Sequence, residues 1–466
     1  MKLARWPRPC EGATIGQSTS RDSQSAGEPR PAAPLRNEPA TRARTFRQWR
    51  DLVVVGYSHA GQHAYIAGVG IAIPFIVAAF HVSYAVIGVA LAIIASTGSL
   101  WQIAALVTRR TSSRVLLFAQ DVGSTLGAVI SALAPGIAVF MAGRLVQAWS
   151  TWPQHPIGSA YLANRHPRRR GTILSWHVTA GNVGTLVTPL ALTSVIAVGG
   201  WRDGFWLLAA LLATTAVVVG VGMDGRWRTT PRLEGARGEG GDATAAHAQQ
   251  VGHSHIPAGW HAAWHELVAM IRKRPLATLL AAGALAAGGQ GIGILSVYLP
   301  SYLKSSLRLS PFDLGAVMTV VYVGAVVGPV AMGHLSDRLG HHGVLLANYL
   351  LGAAALAGVV LAGSALGALA GVGLAVGVFS YSELSLRQTL FSDHLGRSGQ
   401  RAGFGLFFAV SQSLGAAWVA ITGILVTDVG FHVAIFTMAG TFLAAAAVVM
   451  GGIPRAPRHQ HANGTT

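Results

Sequence analysis

Four charged residues fall inside long apolar stretches of this sequence: Asp121, Arg144, Glu383 and Arg387. A charge at the centre of a bilayer costs about 2.5–3.5 kcal/mol on insertion scales, so such residues face protein or water and often carry function. Glu383 and Arg387 stand at i and i+4, on one helix face and within reach of an ion pair. Glu383 lies about eight residues from the nearer end of its stretch, roughly 12 Å at the helical rise. It can exchange a proton with Arg387 restoring the charge balance, or the two can simply neutralise each other between helices. Arg144, followed by Gln147, can bind an anionic solute, relay protons, or act as a hydrogen-bond hub to carbonyls. Asp121 sits nearer the end of its stretch, and a structural role or pairing with the Arg109/Arg110 connector is expected there.

His59 and His63 are also one helical turn apart, with Gln62 and Tyr65 beside them. Two imidazoles aimed at a cavity suit proton exchange or solute bonding; they equally suit hydrogen bonds between helices. As zinc ligands they are too few, and no further ligands can be assigned, so no metal site is expected. His155 with Gln154, His177 with Asn182, and Gln290, Tyr298, Tyr381 and Gln412 form a second tier of cavity candidates. His247, His253, His255, His261 and His265 lack carboxylate or cysteine companions and read as loop residues. No nucleotide-binding Gly-x-x-x-x-Gly-Lys-Ser/Thr loop, nucleophile elbow or HExxH pattern occurs, so neither a cofactor nor an enzyme is expected.

The elements that must hold these residues are membrane helices. Of 466 residues, 52% are hydrophobic and only 11% charged, against about 25% charged in soluble domains. The 58 glycines would weaken soluble helices but let membrane helices pack closely. Apolar segments long enough to cross recur about twelve times. They fall near 53–80, 84–107, 115–133, 137–160, 172–197 and 205–222, then near 276–303, 312–333, 344–363, 368–391, 403–427 and 431–452. Alternate connectors hold Arg109, Arg110, Arg114, Arg165, Arg168 to Arg170, Arg338, Arg397 and Arg401, whereas the others hold only Arg202, Lys304 and Arg308. That asymmetry places both termini in the cytoplasm. The net charge of +17 follows from these connectors and tails, so nucleic acid is not an expected partner.

Residues 1–50 read as a disordered basic tail, 51–222 as a first six-helix bundle and 223–275 as a cytoplasmic linker. Within that linker, Trp260, Trp264, Leu267 and Ile271 recur at helical spacing and suggest an amphipathic helix near 260–274. A second bundle follows over 276–453, with a tail over 454–466. The halves repeat at an offset of about 230 residues. Arg170 to Gly184 falls in step with Arg401 to Gly415, and the turn after Gly199 with that after Asp428. Two six-span halves in one orientation are parallel repeats about an axis along the membrane normal, with a cavity between them.

The segment GHLSDRLGHHG, Gly333 to Gly343, resembles the loop between the second and third spans of a half in the major facilitator superfamily. Arg144 in GRLVQAW, the GWRDGF turn and YLPSYL are similar to further features of that family. The resemblance implies an all-α fold of twelve transmembrane helices that transports a small solute by alternating access. It also implies a conformational latch at Gly333, Asp337, Arg338 and Gly340, in which Gly333 lets helix ends approach and Asp337 accepts bonds from a neighbouring helix N-terminus. The first-half equivalent, ALVTRRTSSR from Ala105, has Thr108 in place of the acid. The expected function is secondary active transport of a small organic solute, with an organic anion favoured and protons as coupling ion. The expected setting is the bilayer of a plasma membrane, such as a bacterial inner membrane, and the expected state is monomeric. Multidrug efflux is the alternative, although AGNVGTLVTP lacks the Gly-Pro ending of the antiporter motif; a transporter-like receptor is a third reading.

Overall fold

A computed structural model describes residues 38–100, 111–166, 170–223, 268, 271–395 and 400–453. The chain divides into two units, Met1–Thr45 and Phe46–Thr466, and the second holds the bundle. Among the described residues every regular element is a helix. The first half contains α1 (Glu38–Phe80), α2 (Tyr84–Leu100), α3 (Ser113–Leu133), α4 (Ile137–Ser150), α5 (Ser159–Arg165), α6 (Arg170–Gly199) and α7 (Trp201–Gly222). The second contains α8 (Arg274–Ala286), α9 (Ser296–Ser305), α10 (Pro311–Leu339), α11 (His341–Leu361), α12 (Leu366–Leu395), α13 (Gln400–Asp428) and α14 (Phe431–Gly452).

Eight of these helices are long and apolar enough to cross a membrane, and shorter apolar helices cover Tyr84–Gly98, Arg274–Ala286 and Ser413–Asp428. The expected fourth and seventh spans are each broken. A π turn at Gln154–Gly158 separates α4 from α5, and another at Gly291–Leu295 separates α8 from α9. Pro153 and Pro156 explain the first break, because neither has an N–H for the helical ladder. Gly288, Gly289 and Gly291 surround the second, where the lack of side chains lowers helix propensity.

Helix starts follow local chemistry. Ser112 accepts a hydrogen bond from Val115 N at the head of α3, and Ser310 accepts one from Asp313 N ahead of Pro311 in α10. Helix α1 begins at Glu38, inside the stretch read as tail, with Pro39 at a position where its missing N–H costs nothing. The expected amphipathic helix near 260–274 and the linker histidines lie almost wholly outside the described residues, as do residues 1–37 and 454–466.

The repeat is visible in the backbone. Gly200 and Gly430 hold φ of 87° and 89° in the tight turns before α7 and α14, a left-handed conformation that favours glycine at both. Contacts between halves are reciprocal: α2 packs along α13, and α6 along α10. Counting each broken span as one, the second span of each half thus meets the fifth of the other, as parallel repeats require.

The halves are joined at the end away from the start of α1. Tyr84 Oη and Ser305 Oγ are 2.8 Å apart, Ala85 N donates to Thr427 Oγ1 at 2.9 Å, and Lys304 Nζ lies 5.5 Å from the Phe75 ring centre. Gly70 abuts the Ser296 carbonyl, and a Cβ at Gly88 would lie 2.7 Å from the Val419 carbonyl oxygen. At the opposite end, the ion pairs among the described residues stay within one half. Asp51 binds Arg165 at 2.7 Å in the first, and His341 lies between Asp337 and Asp393 in the second.

Candidate functional site

The buried face of α3 carries Leu117, Gln120, Asp121, Ser124, Ala128 and Ser131, a helical stripe of small and polar residues. That composition suits contact with other helices and points Asp121 into the first half. Its Oδ1 accepts hydrogen bonds from Ser58 Oγ (2.9 Å), Gln62 Nε2 (2.9 Å) and Gln120 Nε2 (3.1 Å). Its Oδ2 is buried with no hydrogen-bond partner, and the residue is 0% exposed. No cation touches it among the described ion pairs.

The network runs onward to Arg144. Gln62 Oε1 accepts from Ser124 Oγ at 3.1 Å and from Gln147 Nε2 at 3.4 Å. Gln147 Oε1 in turn accepts from Arg144 Nη1 at 2.8 Å, and the guanidinium carbon lies 5.0 Å from the Tyr65 ring centre. Arg144 therefore bonds to Gln147 and faces an aromatic ring, and no described bond makes it a carbonyl hub. On the other side of Asp121, Gln154 Oε1 accepts from Gln120 Nε2 at 2.6 Å, so the π turn positions one end of the network.

Beside this chain lies a group of imidazoles. The ring of His59 is stacked on His177 with centroids 4.1 Å apart, and meets His63 at 4.5 Å and His155 at 5.1 Å, both edge-on. The expected pair on α1 is thus joined by one histidine from the π turn and one from α6.

The second half handles its charges differently. Arg387 Nε donates to Glu383 Oε1 at 2.6 Å, and Tyr349 Oη donates to the same oxygen at 3.0 Å. Arg387 also donates to Ser411 Oγ at 3.2 Å and covers the Phe407 ring at 4.4 Å. Both members of the pair are buried among α11, α12 and α13. Gln290 is buried at the head of the second π turn. Tyr298 donates to the Val419 carbonyl at 2.5 Å, close to the joined end, and Tyr381 stands edge-on to Tyr322 with ring centres 6.1 Å apart. The side chain of Gln412 lies outside the described residues.

The residues of the expected latch are arranged differently from that expectation. Gly333 lies within α10, and a Cβ there would meet nothing within 4 Å, so it makes no close approach. Gly340 is the required glycine: at φ 97° it alone separates α10 from α11. Asp337 is 73% exposed and faces His341 Nε2 at 3.4 Å, without capping a helix. His341 Nδ1 lies 2.6 Å from Asp393 Oδ2, so an imidazole bridges α10 and α12. Arg338 is in the last turn of α10. The first-half loop at 101–110 lies outside the described residues, while Asp51, within α1, binds Arg165 at the end of α5.

Ser58, Gln120, Ser124 and Asp51 are the site-forming residues that span-by-span reading overlooks; the first two bond directly to Asp121, which that reading assigned a structural role or a pairing with the Arg109/Arg110 connector. For Asp121 a signal existed: Gln120, Ser124 and Ser131 share its helix face, which is too polar for lipid.

The model of the Major Facilitator Superfamily matches residues 59–420 and again 290–466. The chain belongs to the major facilitator superfamily. It is an integral membrane transporter and not an enzyme. Solved structures of the superfamily fold agree. The nucleoside transporter NupG superposes with a TM-score of 0.65 at 11% identity, covering 87% of this chain and 98% of its own. A bacterial homologue of the human lysosomal transporter Spinster gives 0.64 at 13% identity, covering 89% and 96%. The peptide transporter POT in complex with sulfate gives 0.64 at 15% identity, covering 86% and 94%. No curated protein matches. Within the superfamily, Asp121, Arg144 and the histidines mark the polar interior of the first half, and Glu383–Arg387 that of the second.

Proposed function

We propose that this transporter is a secondary active carrier of a small organic solute, driven by protons, in which Asp121 holds the coupling proton. The observation that carries the reading is a fully buried carboxylate bonded only by neutral donors, with one oxygen unpartnered. An ionised acid in that setting has no counter-charge to offset its desolvation, so a proton or a rearranged hydrogen bond decides its state. Gln62 and Gln147 connect it to Arg144, and this gives a route by which a solute at the guanidinium alters the acid. Arg144 favours an organic anion. The similar structures named for nucleoside and peptide transport support polar organic solutes as the class.

The joined end supports alternating access. Reciprocal packing of α2 on α13 and α6 on α10 provides a seam about which two rigid halves can rock. The Lys/Arg asymmetry supports cytoplasmic termini in a plasma membrane, which makes the joined end external and this state inward-facing. A monomer suffices, since each half supplies its own polar interior.

The test is a thermal-shift screen of small organic anions against the purified protein, followed by flux of each hit into proteoliposomes. Accumulation should follow an imposed pH gradient and collapse when a protonophore is added. Flux that is the same with and without the gradient would reject proton coupling.

A further inference from the structure

We infer that His59, His63 and His155 form a binding site for a divalent transition-metal cation in the first half, with His177 and Thr185 as its supporting shell. One ring nitrogen from each of the three lies within 4.8 Å of the other two. A tetrahedral ion with bonds of about 2.0–2.1 Å needs its ligands closer, at roughly 3.3 Å, so the rings must rotate inward as the ion binds. The i, i+4 spacing of His59 and His63 puts two imidazoles on one helix face, and the π turn supplies the third.

The hydrogen bonds around the cluster leave the rings ready to ligate. His59 Nδ1 is 2.8 Å from the His177 carbonyl, which can only accept, so Nδ1 carries the proton and Nε2 presents a lone pair. That Nε2 is buried and has no hydrogen-bond partner. His63 Nδ1 is 3.2 Å from Thr185 Oγ1, whose own hydrogen points to the Gly181 carbonyl at 3.4 Å. With Nδ1–H of His63 donating to that oxygen, its Nε2 presents a lone pair as well. Metal-binding histidines are characteristically anchored in this way through the second nitrogen. Gly181 also matters, since a Cβ there would press on the His59 ring at 2.9 Å.

The donor set defines the cation. Three neutral imidazoles with no carboxylate exclude Ca²⁺ and Mg²⁺, which need oxygen ligands, and suit Zn²⁺, Co²⁺, Ni²⁺ or Cu²⁺. His155 is the exposed member and gives an entry path, while His59 is buried and His63 half-buried. Several protonated rings at these spacings would repel one another, whereas a single ion satisfies all three lone pairs at once.

The experiment is titration of the purified, untagged full chain with Co²⁺, read by the visible absorption of a tetrahedral cobalt centre, with Zn²⁺ as competitor. One equivalent should bind. Thr185→Val should weaken binding about 10-fold by freeing His63. His155→Ala, at an exposed position that leaves the fold intact, should reduce the absorption sharply, and His63→Ala with His155→Ala should abolish it. Replacing His247, His253, His255, His261 and His265 by Ala should leave it in place. An unchanged band in the double variant, a band that disappears with the linker histidines, or no band in the wild-type protein would each overturn the site. The assay involves no transport, so its failure would leave proton coupling untouched.

Discussion

In the second half Glu383 and Arg387 stand one turn apart on α12 and cancel each other at 2.6 Å. In the first half Asp121 and Arg144 lie on different helices and are joined only through Gln62 and Gln147. Both acids are 0% exposed. Burial alone therefore does not mark a working group. A paired charge is held in one state by its partner, whereas a charge held by neutral, rotatable amides has a state that its surroundings can change. The second half reads as a rigid frame and the first as the responsive part.

Breaking the pair should give the largest effect. Glu383→Gln leaves Arg387 buried without a counter-charge and should destabilise the protein by about 3–5 kcal/mol, seen as a large drop in melting temperature in detergent. Replacing both, Glu383→Leu with Arg387→Met, should recover most of that loss. If Glu383→Gln melts normally yet loses gradient-driven flux, the roles assigned to the two halves are reversed.

Asp121→Asn sharpens the contrast from the other side. The amide oxygen keeps the bonds from Ser58, Gln62 and Gln120, so stability should change by only about 1–2 kcal/mol. Solute exchange without a gradient should persist while gradient-driven accumulation disappears. Equal loss of both would make Asp121 a structural residue.

At the joined end, Gly70→Ala forces a Cβ against the Ser296 carbonyl. Overpacking of about 1–3 kcal/mol there should favour the state open on that side. The readout is faster alkylation of a cysteine placed at Ser305, in a chain with Cys10 replaced; unchanged labelling would show that this end does not open. The smallest effect is expected at the latch. His341→Ala removes an exposed bridge worth up to about 1 kcal/mol, and should slow turnover a few-fold with binding unchanged. Turnover equal to wild type would remove the latch from the cycle.

Much of this was legible in the residues. Most of the apolar segments match helices closely, from α3 at Ser113–Leu133 to α14 at Phe431–Gly452, because bilayer thickness sets a length that hydropathy reports directly. The Glu383–Arg387 pair was legible because both residues share one turn of one helix. The breaks at Gln154–Gly158 and Gly291–Leu295 were not, since their proline and glycine content does not lower hydropathy enough to interrupt a span. The surroundings of Asp121 were not legible, because depth along a helix says nothing about which helices face it. His177 reaches His59 across 118 positions of chain, a contact that only tertiary packing reveals.

In the proposed mechanism the exchangeable proton sits on Asp121 and not on Glu383. Infrared difference spectra of the purified protein between acid and alkaline pH, read in the carboxyl C=O stretching region, test it without any substrate. A buried carboxyl band should vanish in Asp121→Asn and persist in the Glu383→Leu/Arg387→Met double variant. A band that persists in Asp121→Asn and vanishes with Glu383 would contradict it.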